Sequence, residues 1–433
     1  MPSQLRTDAE AGAKLGIPVK QSLAIFAVGA VGVLCFAVCV YKGVTWQGCE
    51  MVAIARSVAE HGVFGNPFLT VATGPTATEP PLYPLALALA FKILKTPVAV
   101  SLLATIAAIA ANIAVAASLP ALSREFFHSP TPGMIGGVFC VLATAPLPGW
   151  EANWTQFGLV LLVLATVWLL RSPERLIWRG TAAGASAGLI SLLNPASALI
   201  SLPCVVYLVI RRRVSFRGSV RFLAAFVFAA ALMNLPWLVR NYALWGRPVL
   251  RTNFGMTFYS SNNDCAVPSM VVMLLNGCYA STHPNQNVSE ALYLRRIGEV
   301  AYDRERTADA FAWIRLHPAR FAWLTRHRMV EFWLPVPGMP AGVYYVVWAI
   351  TLLSIPGLVW MLCKREAALA LFLAVFLLYP LLYYVVVSDL RYRMPMLWLS
   401  CLAAGYFFWR LRETLRNPER RAAADSVAAP ALR

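Results

Sequence analysis

Long runs of apolar residues recur along the chain, separated by short polar or basic connections. The first reads SLAIFAVGAVGVLCFAVCV, and the main runs cover 22–40, 98–119, 220–239, 343–362, 367–387 and 394–411. A helix needs about 20 apolar residues to span a bilayer. None of the runs alternates between apolar and polar positions, as the strands of a membrane barrel would. The pattern therefore predicts an all-α, polytopic membrane protein with about 10–11 membrane helices.

Two further apolar stretches differ from these runs. The stretch 180–210 is interrupted by Asn194 and Pro195, which predicts a tight helical hairpin. The stretch 82–95 has only about 14 residues, so we expect a short or re-entrant helix that does not fully cross. Such half-helices are tolerated only where protein or a water-filled cavity shields them. A cavity is therefore predicted beneath the Gly/Pro-rich loop TGPTATEPPLYP at 73–84.

The composition agrees with this class of protein. Hydrophobic residues make up 59% of the chain and charged residues 13%, whereas a soluble domain is about half apolar and about a quarter charged. The net charge of +17 would suit a nucleic-acid partner, but the basic residues are grouped at the borders of the apolar runs, around 171–179, 211–221, 364–365 and 410–421. Basic residues bordering membrane helices mark the cytoplasmic side, so we expect a membrane and no nucleic acid.

These basic clusters also predict how the chain is organised. We expect 41–81, 147–155 and 241–342 to be external, and 120–132 and 211–221 to be cytoplasmic. The predicted division is a cytoplasmic leader at 1–21, a transmembrane module at 22–240 that includes the first external loop 41–81, an external region at 241–342, C-terminal transmembrane helices at 343–411 and a disordered cytoplasmic tail at 412–433.

Two of the nine cysteines differ from the others, most of which lie inside apolar runs. Cys265 and Cys278 both fall in the long external region, where an oxidising compartment allows bonding. We predict a disulfide between them. No spacing forces the bond, so two free thiols are the alternative. The chain has no CxxC pair or other zinc spacing.

Glu50 opens the first candidate segment, CEMVAIARSVAEHG at 49–62. An apolar stripe at helical spacing predicts a helix that lies along the membrane surface and ends at Gly62; its members are Met51, Ile54, Ala55 and Val58. On these residues alone, Glu50 could be a functional acid, or it could face water and favour the helix N-terminus by its charge.

Two more glutamates fall in predicted external loops. Glu79 precedes prolines at a helix start, where a carboxylate can act as a cap. Glu151 stands between Trp150 and Trp154, which could belong to an interfacial aromatic belt or could stack on a sugar ring. Together with Glu50, these acids could also hold a divalent cation, but no spacing demands a metal site.

The stretch SDLRYRMP at 388–395 carries the candidate anion site. Pro395 suits the first turn of the last helix, which would put Arg391 and Arg393 beside the helix N-terminus, where positive charge is unfavourable. A phosphate between the two arginines would relieve this, and both helix N-termini and arginines bind phosphate well. The alternative is that both side chains simply reach toward the membrane interface.

Several of these stretches, in this order, resemble the integral-membrane glycosyltransferases of the GT-C fold. The nearest types are the bacterial protein O-mannosyltransferase-like enzymes, which include aminoarabinose transferases. The resemblance extends over about 20–411 and is carried by Glu50, IARS (54–57), HGVFGNPF (61–68), TGPTATEPPLYP (73–84), RTNFG (251–255), LHPARF (316–321) and RYRMP (391–395).

The resemblance implies a hexosyl- or pentosyltransferase that uses a polyprenyl-phosphate sugar. Its acceptor would be a lipid, a glycan or a protein, and its active site would face the periplasm from the bacterial inner membrane. An acid in the first external loop is the catalytic base of such enzymes, and Glu50 occupies that position. Many members have an aspartate there, or an Asp-Glu pair, whereas this chain has Cys49 before Glu50.

The remaining implied site residues lie in other loops. Glu151 falls where some members carry a second acid, so it is a second catalytic candidate. Glu79 and Tyr83 belong to the loop expected to border the substrate. Arg391 and Arg393 of the RYRMP stretch would face the donor phosphate.

Two other classes of function are compatible with the apolar pattern. A lipid flippase or transporter would share the helices and arginines without needing Glu50, although the charged residues expected inside proton-coupled membrane segments are almost absent. A catalytically degenerate scaffold is the second, since Cys49 replaces a common aspartate. No P-loop or dinucleotide fingerprint is present, so no nucleotide is expected in the reaction.

Overall fold

The computed structural model describes residues 19–39, 48–147, 149–172, 174–338 and 341–416. Within these ranges the regular secondary structure is helical, and β-pairing is limited to two isolated bridges. The all-α polytopic fold predicted from the sequence is confirmed. A helix satisfies its backbone hydrogen bonds internally, which the bilayer interior requires.

The α-helices of the described residues follow one another along the chain, and a long connection at 62–81 carries most of the Gly/Pro-rich loop. In order, they are α1 (Val19–Cys39), α2 (Glu50–His61), α3 (Leu82–Leu94), α4 (Pro97–Phe127), α5 (Thr131–Leu142), α6 (Ala152–Leu169), α7 (Leu176–Ser191), α8 (Ala198–Arg211), α9 (Phe216–Trp245), α10 (Phe254–Ser261), α11 (Met270–Leu275), α12 (Cys278–Thr282), α13 (Val288–Ile297), α14 (Glu299–Leu316), α15 (Pro318–Trp333), α16 (Ala341–Cys363), α17 (Ala368–Leu378) and α18 (Leu390–Arg416).

Four of these helices, α4, α6, α9 and α16, are long and apolar enough to cross a membrane by length and composition, counting the described residues only. Shorter apolar helices include α3, α5 and α17. The 13 residues of α3 correspond to a rise of about 20 Å, well short of a hydrocarbon core of about 30 Å. The short helix expected at 82–95 is thus present, and its depth in a membrane stays a prediction.

Helices α7 and α9 pack at close range because three glycines of α7 share one face. Gly180, Gly184 and Gly188 are spaced four residues apart. A Cβ atom added at Gly184 would lie 2.1 Å from the Phe226 carbonyl oxygen of α9. Membrane helices commonly use small residues in this way, since association in lipid depends on close van der Waals contact. The hairpin predicted around Asn194 is present as α7, a 3₁₀ turn at Pro195–Ser197 and α8.

The helix boundaries predicted near the C-terminal end are wrong at two points. The apolar run 367–387 forms α17 only as far as Leu378, and then a 3₁₀ turn at Tyr379–Leu382 and a loop, because Pro380 interrupts the helix. The last helix starts at Leu390 and not at Pro395. The Asp389 carboxylate accepts a hydrogen bond from the Arg391 backbone N–H at 2.9 Å, which satisfies a donor of the first turn.

Two ion pairs join helices whose connections the sequence predicts to be cytoplasmic. Arg212 pairs with Glu125 at 2.7 Å, and Arg410 with Glu366 at 3.2 Å. These connections join segments that the sequence predicts to be cytoplasmic, whereas the predicted external segments meet elsewhere, around the cavity described below. The side of the membrane that each faces stays a prediction, as do the domain boundaries. Most of the predicted leader at 1–21 and tail at 412–433 lies outside the described residues.

Candidate active site

A partly open cavity of about 780 Å³ is lined mainly by segments that the sequence predicts to be external, together with the end of the apolar run 367–387. Its apolar wall comes from 248–257, 270–274 and 382–387. Its charged lining consists of Glu50, Glu79, Glu151, Arg251, Asp389 and Arg391. The cavity expected beside the Gly/Pro-rich loop 73–84 is therefore present, with Glu79 of that loop on its wall.

Glu50 reaches the cavity because the apolar stripe of α2 packs inward. Met51, Ile54 and Ala55 are fully buried, and Met51 and Ala55 share a cluster with Leu87 of α3. Gly62 ends the helix in the left-handed conformation, at φ 71°. The predicted extent of α2 is thus confirmed. Glu50 is only 5% exposed, so the alternative that it simply faces water is wrong.

The Glu50 carboxylate is surrounded mainly by uncharged groups. Tyr279 Oη donates a hydrogen bond to Glu50 Oε1 at 3.3 Å, and His283 Nε2 lies 3.9 Å from the same oxygen. Burial, and then the charge of Glu79, raises the pKa of Glu50 to about 7, while Arg391 and Tyr279 act in the opposite direction. A carboxylate with this pKa can take up and release a proton near neutral pH.

Cys49 does not supply the acidic group that an aspartate beside Glu50 would provide. Burial, and then the charge of Glu50, raises the pKa of the Cys49 thiol to about 12. The thiol is therefore neutral at physiological pH, whereas an aspartate in its place would bring a second carboxylate. Glu50 is consequently the only carboxylate of the Cys49–Glu50 pair.

Glu79 forms an ion pair instead of a helix cap. Arg251 Nη2 donates to Glu79 Oε2 at 2.6 Å, and Arg251 Nε donates to the Thr78 carbonyl at 2.8 Å. No side-chain hydrogen bond caps α3, so the capping alternative is wrong. Glu299 also stabilises this loop, since its carboxylate accepts hydrogen bonds from Ala77 N at 2.7 Å and from Thr76 Oγ1 at 2.6 Å.

Glu151 lies at the start of α6 and also faces the cavity. It makes no capping hydrogen bond. Its Oε1 accepts from Asn194 Nδ2 at 3.0 Å, at the turn of the α7–α8 hairpin. Burial, and then the charge of Glu79, raises the pKa of Glu151. Its carboxylate thus has an amide partner but no ion pair within the described residues.

Arg391 is held by weak partners and points to the cavity. Its guanidinium carbon lies 3.7 Å from the centre of the Trp150 ring, and Nη2 donates to Tyr392 Oη at 3.1 Å. Its Nε is 3.8 Å from Asp389 Oδ2 and has no hydrogen-bond partner among the described residues. Nε is itself buried, but Nη1 donates no hydrogen bond within the described residues, so Arg391 has donor capacity left for an anion in the cavity.

Two predicted site residues do not line the cavity. Arg393 is 1% exposed; it donates to Ser400 Oγ at 2.7 Å, and its guanidinium lies 4.3 Å from the Trp333 ring centre. Residues two apart on a helix are about 200° apart around its axis, so Arg391 and Arg393 cannot share a ligand. Tyr83 is buried in the α2–α3 cluster. Neither residue is therefore placed to touch a ligand in this cavity.

Several residues that line the cavity beside the predicted acids were not predicted from the sequence. They are Arg251, Tyr279, His283, Asp389 and Asn194. For Arg251 a signal existed, since the stretch RTNFG at 251–255 takes part in the family resemblance. For Tyr279 and His283 no local signal existed, because an exposed loop and a cavity wall have the same sequence pattern.

The predicted bond between Cys265 and Cys278 is confirmed, with the sulfur atoms 2.03 Å apart. It closes a segment that contains α11 and leads into α12. Met270, Met273 and Tyr279 of this part of the chain line the cavity. The disulfide therefore restrains one wall of the candidate site.

Within the described ranges, no group of three or more His, Cys, Asp or Glu side chains is arranged to hold a metal ion. Glu50, Glu79 and Glu151 thus line one cavity without forming a ready ligand set. The divalent cation considered from the sequence stays a prediction.

Comparison with known proteins shows similarity at the level of structure only. No protein-family profile and no curated protein matches this sequence. Among solved structures, the oligosaccharyltransferase AglB of Archaeoglobus fulgidus, in complex with an inhibitory peptide and a dolichol-phosphate, is similar with a TM-score of 0.51 and 10% identity over 95% of this chain and 52% of that chain.

Two other structures of the A. fulgidus enzyme give the same result. The apo form has a TM-score of 0.53 and 11% identity over 95% of this chain and 53% of that chain. The form with Zn and sulfate has a TM-score of 0.52 and 11% identity over 94% of this chain and 51% of that chain. The chain has a GT-C fold. It spans about half the length of these GT-C structures, and at this identity the likeness concerns the fold alone. The resemblance to the bacterial transferases stays a prediction.

Proposed function

We propose that this GT-C protein is a glycosyltransferase that moves a sugar from a polyprenyl-phosphate donor to an acceptor hydroxyl. The observation that carries the proposal is one cavity in which a buried acid without an ion pair, Glu50, faces the same space as an arginine with an unused donor, Arg391. The fold supports this by analogy only, because a fold can host many functions.

The proposed chemistry is a direct displacement. The acceptor O–H loses its proton to the Glu50 carboxylate as its oxygen forms a bond to the anomeric carbon of the sugar. The bond from that carbon to the phosphate oxygen breaks, and its electron pair stays on the departing polyprenyl phosphate. Arg391 then stabilises the added negative charge on the phosphate. Glu50 later releases its proton to water.

The arginines favour a donor with one phosphate over a donor with two. The Nε and one Nη of Arg251 are already engaged by Thr78 and Glu79. In Arg391 only Nη2 donates a hydrogen bond within the described residues, to Tyr392 Oη, and its guanidinium fork suits a single phosphate group. The dolichol-phosphate in the similar A. fulgidus structure is also a lipid monophosphate, which supports the same class of ligand.

Glu151 is the second candidate acid. Its Oε1 is held by Asn194, and the carboxylate has no ion pair within the described residues. We infer that it contacts hydroxyl or amino groups of the sugar or the acceptor. It would become the candidate base if Glu50 proved dispensable.

A direct assay tests the proposal. The purified full-length protein is incubated in lipid nanodiscs with polyprenyl-phosphate hexoses and pentoses, and lipid monophosphate release is measured with lipid, glycan and peptide acceptors. Comparison of glycolipid and envelope-glycan masses with and without the gene supplies the acceptor class. Acceptor-dependent release that is lost in Glu50→Gln supports the proposal. Movement of the lipid-linked sugar across the bilayer with no bond broken would instead identify a flippase.

We further propose that the cavity opens on the periplasmic face of the bacterial inner membrane. Cysteine substitutions at Leu275, which is 82% exposed, and at Arg217 test this in intact cells with an impermeant thiol reagent. The expected result is labelling at 275 and none at 217. Strong labelling at 217 would overturn the proposed orientation.

A further inference from the structure

The segment that follows Cys265 and ends at Asn287 is attached to the site at several points; we refer to it as the disulfide segment. Beside the Cys265–Cys278 bond, Asn285 connects it to both flanks of α2. Asn285 Nδ2 donates to the Gly48 carbonyl at 2.8 Å, and Asn285 Oδ1 accepts from Leu69 N at 3.1 Å. These bonds hold the segment against the helix that begins with Glu50.

The other side of the disulfide segment reaches the loop that leads into α18. Ser269 and Ser388 form an isolated parallel bridge, in which Met270 N donates to the Ser388 carbonyl at 2.9 Å. Ser388 directly precedes Asp389 and lies three residues before Arg391. The segment therefore connects the acid and the arginine of the proposed reaction.

His283 on this segment is held in a defined orientation. Its ring stacks on Tyr279 with 4.3 Å between ring centres and meets Phe68 edge-on at 6.0 Å. The backbone N–H of Asn285 donates to His283 Nδ1 at 3.2 Å. Because Nδ1 accepts this hydrogen bond, the neutral ring carries its proton on Nε2.

The protonated Nε2 faces Glu50. It lies 3.9 Å from Glu50 Oε1, so a shift of about 1 Å brings it into hydrogen-bond range. Burial, and then the charge of Arg391, lowers the pKa of His283 to about 3, so the ring remains neutral. A neutral donor orients a carboxylate without neutralising it, whereas a cation would form an ion pair and weaken it as a base.

We propose that His283 is a positioning residue for Glu50, which holds the carboxylate through its Nε2–H and is itself oriented by Asn285 and the disulfide segment. The proposal rests on the proposed function for its role in catalysis, but the contact itself does not depend on it. Tyr279 Oη, which donates to the same carboxylate oxygen, limits the motion of Glu50 from a second direction.

Two substitutions test the role in catalysis. His283→Leu removes the Nε2–H and should lower kcat about tenfold with KM for the sugar donor nearly unchanged, because the proposed role of His283 is to orient Glu50 and not to bind the lipid. His283→Gln retains an N–H donor and should recover kcat to within about threefold of the original protein. His61→Leu, at an exposed histidine of α2, is the matched control and should leave both constants unchanged.

A spectroscopic measurement tests the contact without any activity. The full-length protein is labelled with ¹⁵N-histidine in nanodiscs, and the His283 signals are identified by their loss in His283→Gln. We expect the Nε2–H tautomer, and a shift of its Nε2 resonance in Glu50→Gln but not in Glu60→Gln, which changes an exposed residue of the same helix.

The two readouts separate the possible failures. The proposal is overturned, whatever the protein catalyses, if His283 is the Nδ1–H tautomer or if its Nε2 resonance does not shift in Glu50→Gln. A normal kcat in a folded His283→Leu protein overturns the role in catalysis. If the original protein transfers no sugar but shows the expected ¹⁵N signals, the proposed function is contradicted, whereas the contact between His283 and Glu50 is supported.

Discussion

Glu79 and Glu50 lie on the wall of the same cavity, and both are almost fully buried, at 2% and 5% exposed. In the Glu79 region, Arg251 supplies a direct ion pair at 2.6 Å. In the Glu50 region, the nearest partners are the neutral side chains of Tyr279 and His283. Arg391 acts on Glu50 through its charge, while its guanidinium stacks on Trp150.

The difference separates a structural acid from a reactive one. The Glu79 carboxylate is buried and the Arg251 side chain is 29% exposed, so the ion pair engages both groups, and removing Arg251 would leave a buried, unpaired charge on Glu79. Glu79 thus binds the loop 73–84 to the segment that carries Arg251. Glu50 is buried without an ion pair, so it keeps a pKa near neutrality and the ability to accept a proton.

The largest expected effect comes from removing the basicity of Glu50. Glu50→Gln preserves shape and should lower kcat by about 10²–10⁴-fold with donor binding largely kept, because a general base is lost. Steady-state kinetics with a polyprenyl-phosphate sugar measures this, and Glu60→Gln on the same helix is the control. A folded Glu50→Gln protein with near-normal turnover would rule out the assignment and shift it to Glu151.

The next effect separates the two arginines of α18. Arg391→Ala should raise KM for the donor by about 10–100-fold, the loss expected for one charge-assisted contact. Arg393→Met keeps the apolar contacts with Trp333 and should leave KM within about threefold, because Arg393 does not line the cavity. Equal rises in KM for the two variants would contradict this placement.

These two arginines also illustrate how far sequence reasoning reaches. The pattern around 388–395 indicates an arginine-rich helix start, and the structure has one. The same pattern cannot tell which arginine faces the cavity unless the helix start is known to within a residue. Since α18 begins at Leu390 and not at Pro395, both arginines lie within the helix and point to different sides.

Local features were predictable, and long-range partners were not. The extent of α2 follows from its apolar stripe and Gly62, and the short α3 follows from the length of its apolar run. Arg251 and Glu79 are 172 residues apart in the chain, and Tyr279 and Glu50 are 229 residues apart. Such pairs depend on how distant segments dock, which periodicity and local motifs do not encode.

A smaller effect links the Glu50 and Glu79 regions through pH. Transfer requires ionised Glu50, so below its pKa of about 7 kcat should fall about tenfold for each pH unit. The charge of Glu79 raises this pKa, so Glu79→Gln should lower it and move the acid limb of the profile to lower pH. In this variant Arg251 has no ion-pair partner, and its positive charge also favours a lower pKa of Glu50.

The pH–rate profiles of the original protein and Glu79→Gln measure this shift. Thermal unfolding should show that Glu79→Gln also lowers stability, because Arg251 loses its partner. A profile that moves to higher pH would mean that Glu79 stabilises the ionised form of Glu50, contrary to the sign argued here.

The smallest expected effect concerns the covalent restraint on the Glu50 region. Mild reduction of the Cys265–Cys278 bond should lower kcat by about threefold, because the segment carrying Tyr279 and His283 gains conformational freedom while its hydrogen bonds to Gly48 and Leu69 remain. The Glu79 region lies outside this loop, so stability of the Arg251 pair should change little. The double variant Cys265→Ser/Cys278→Ser should reproduce the fall and lose all response to reductant. If reduction lowers kcat equally in the double variant, another thiol is responsible and the disulfide does not restrain the site.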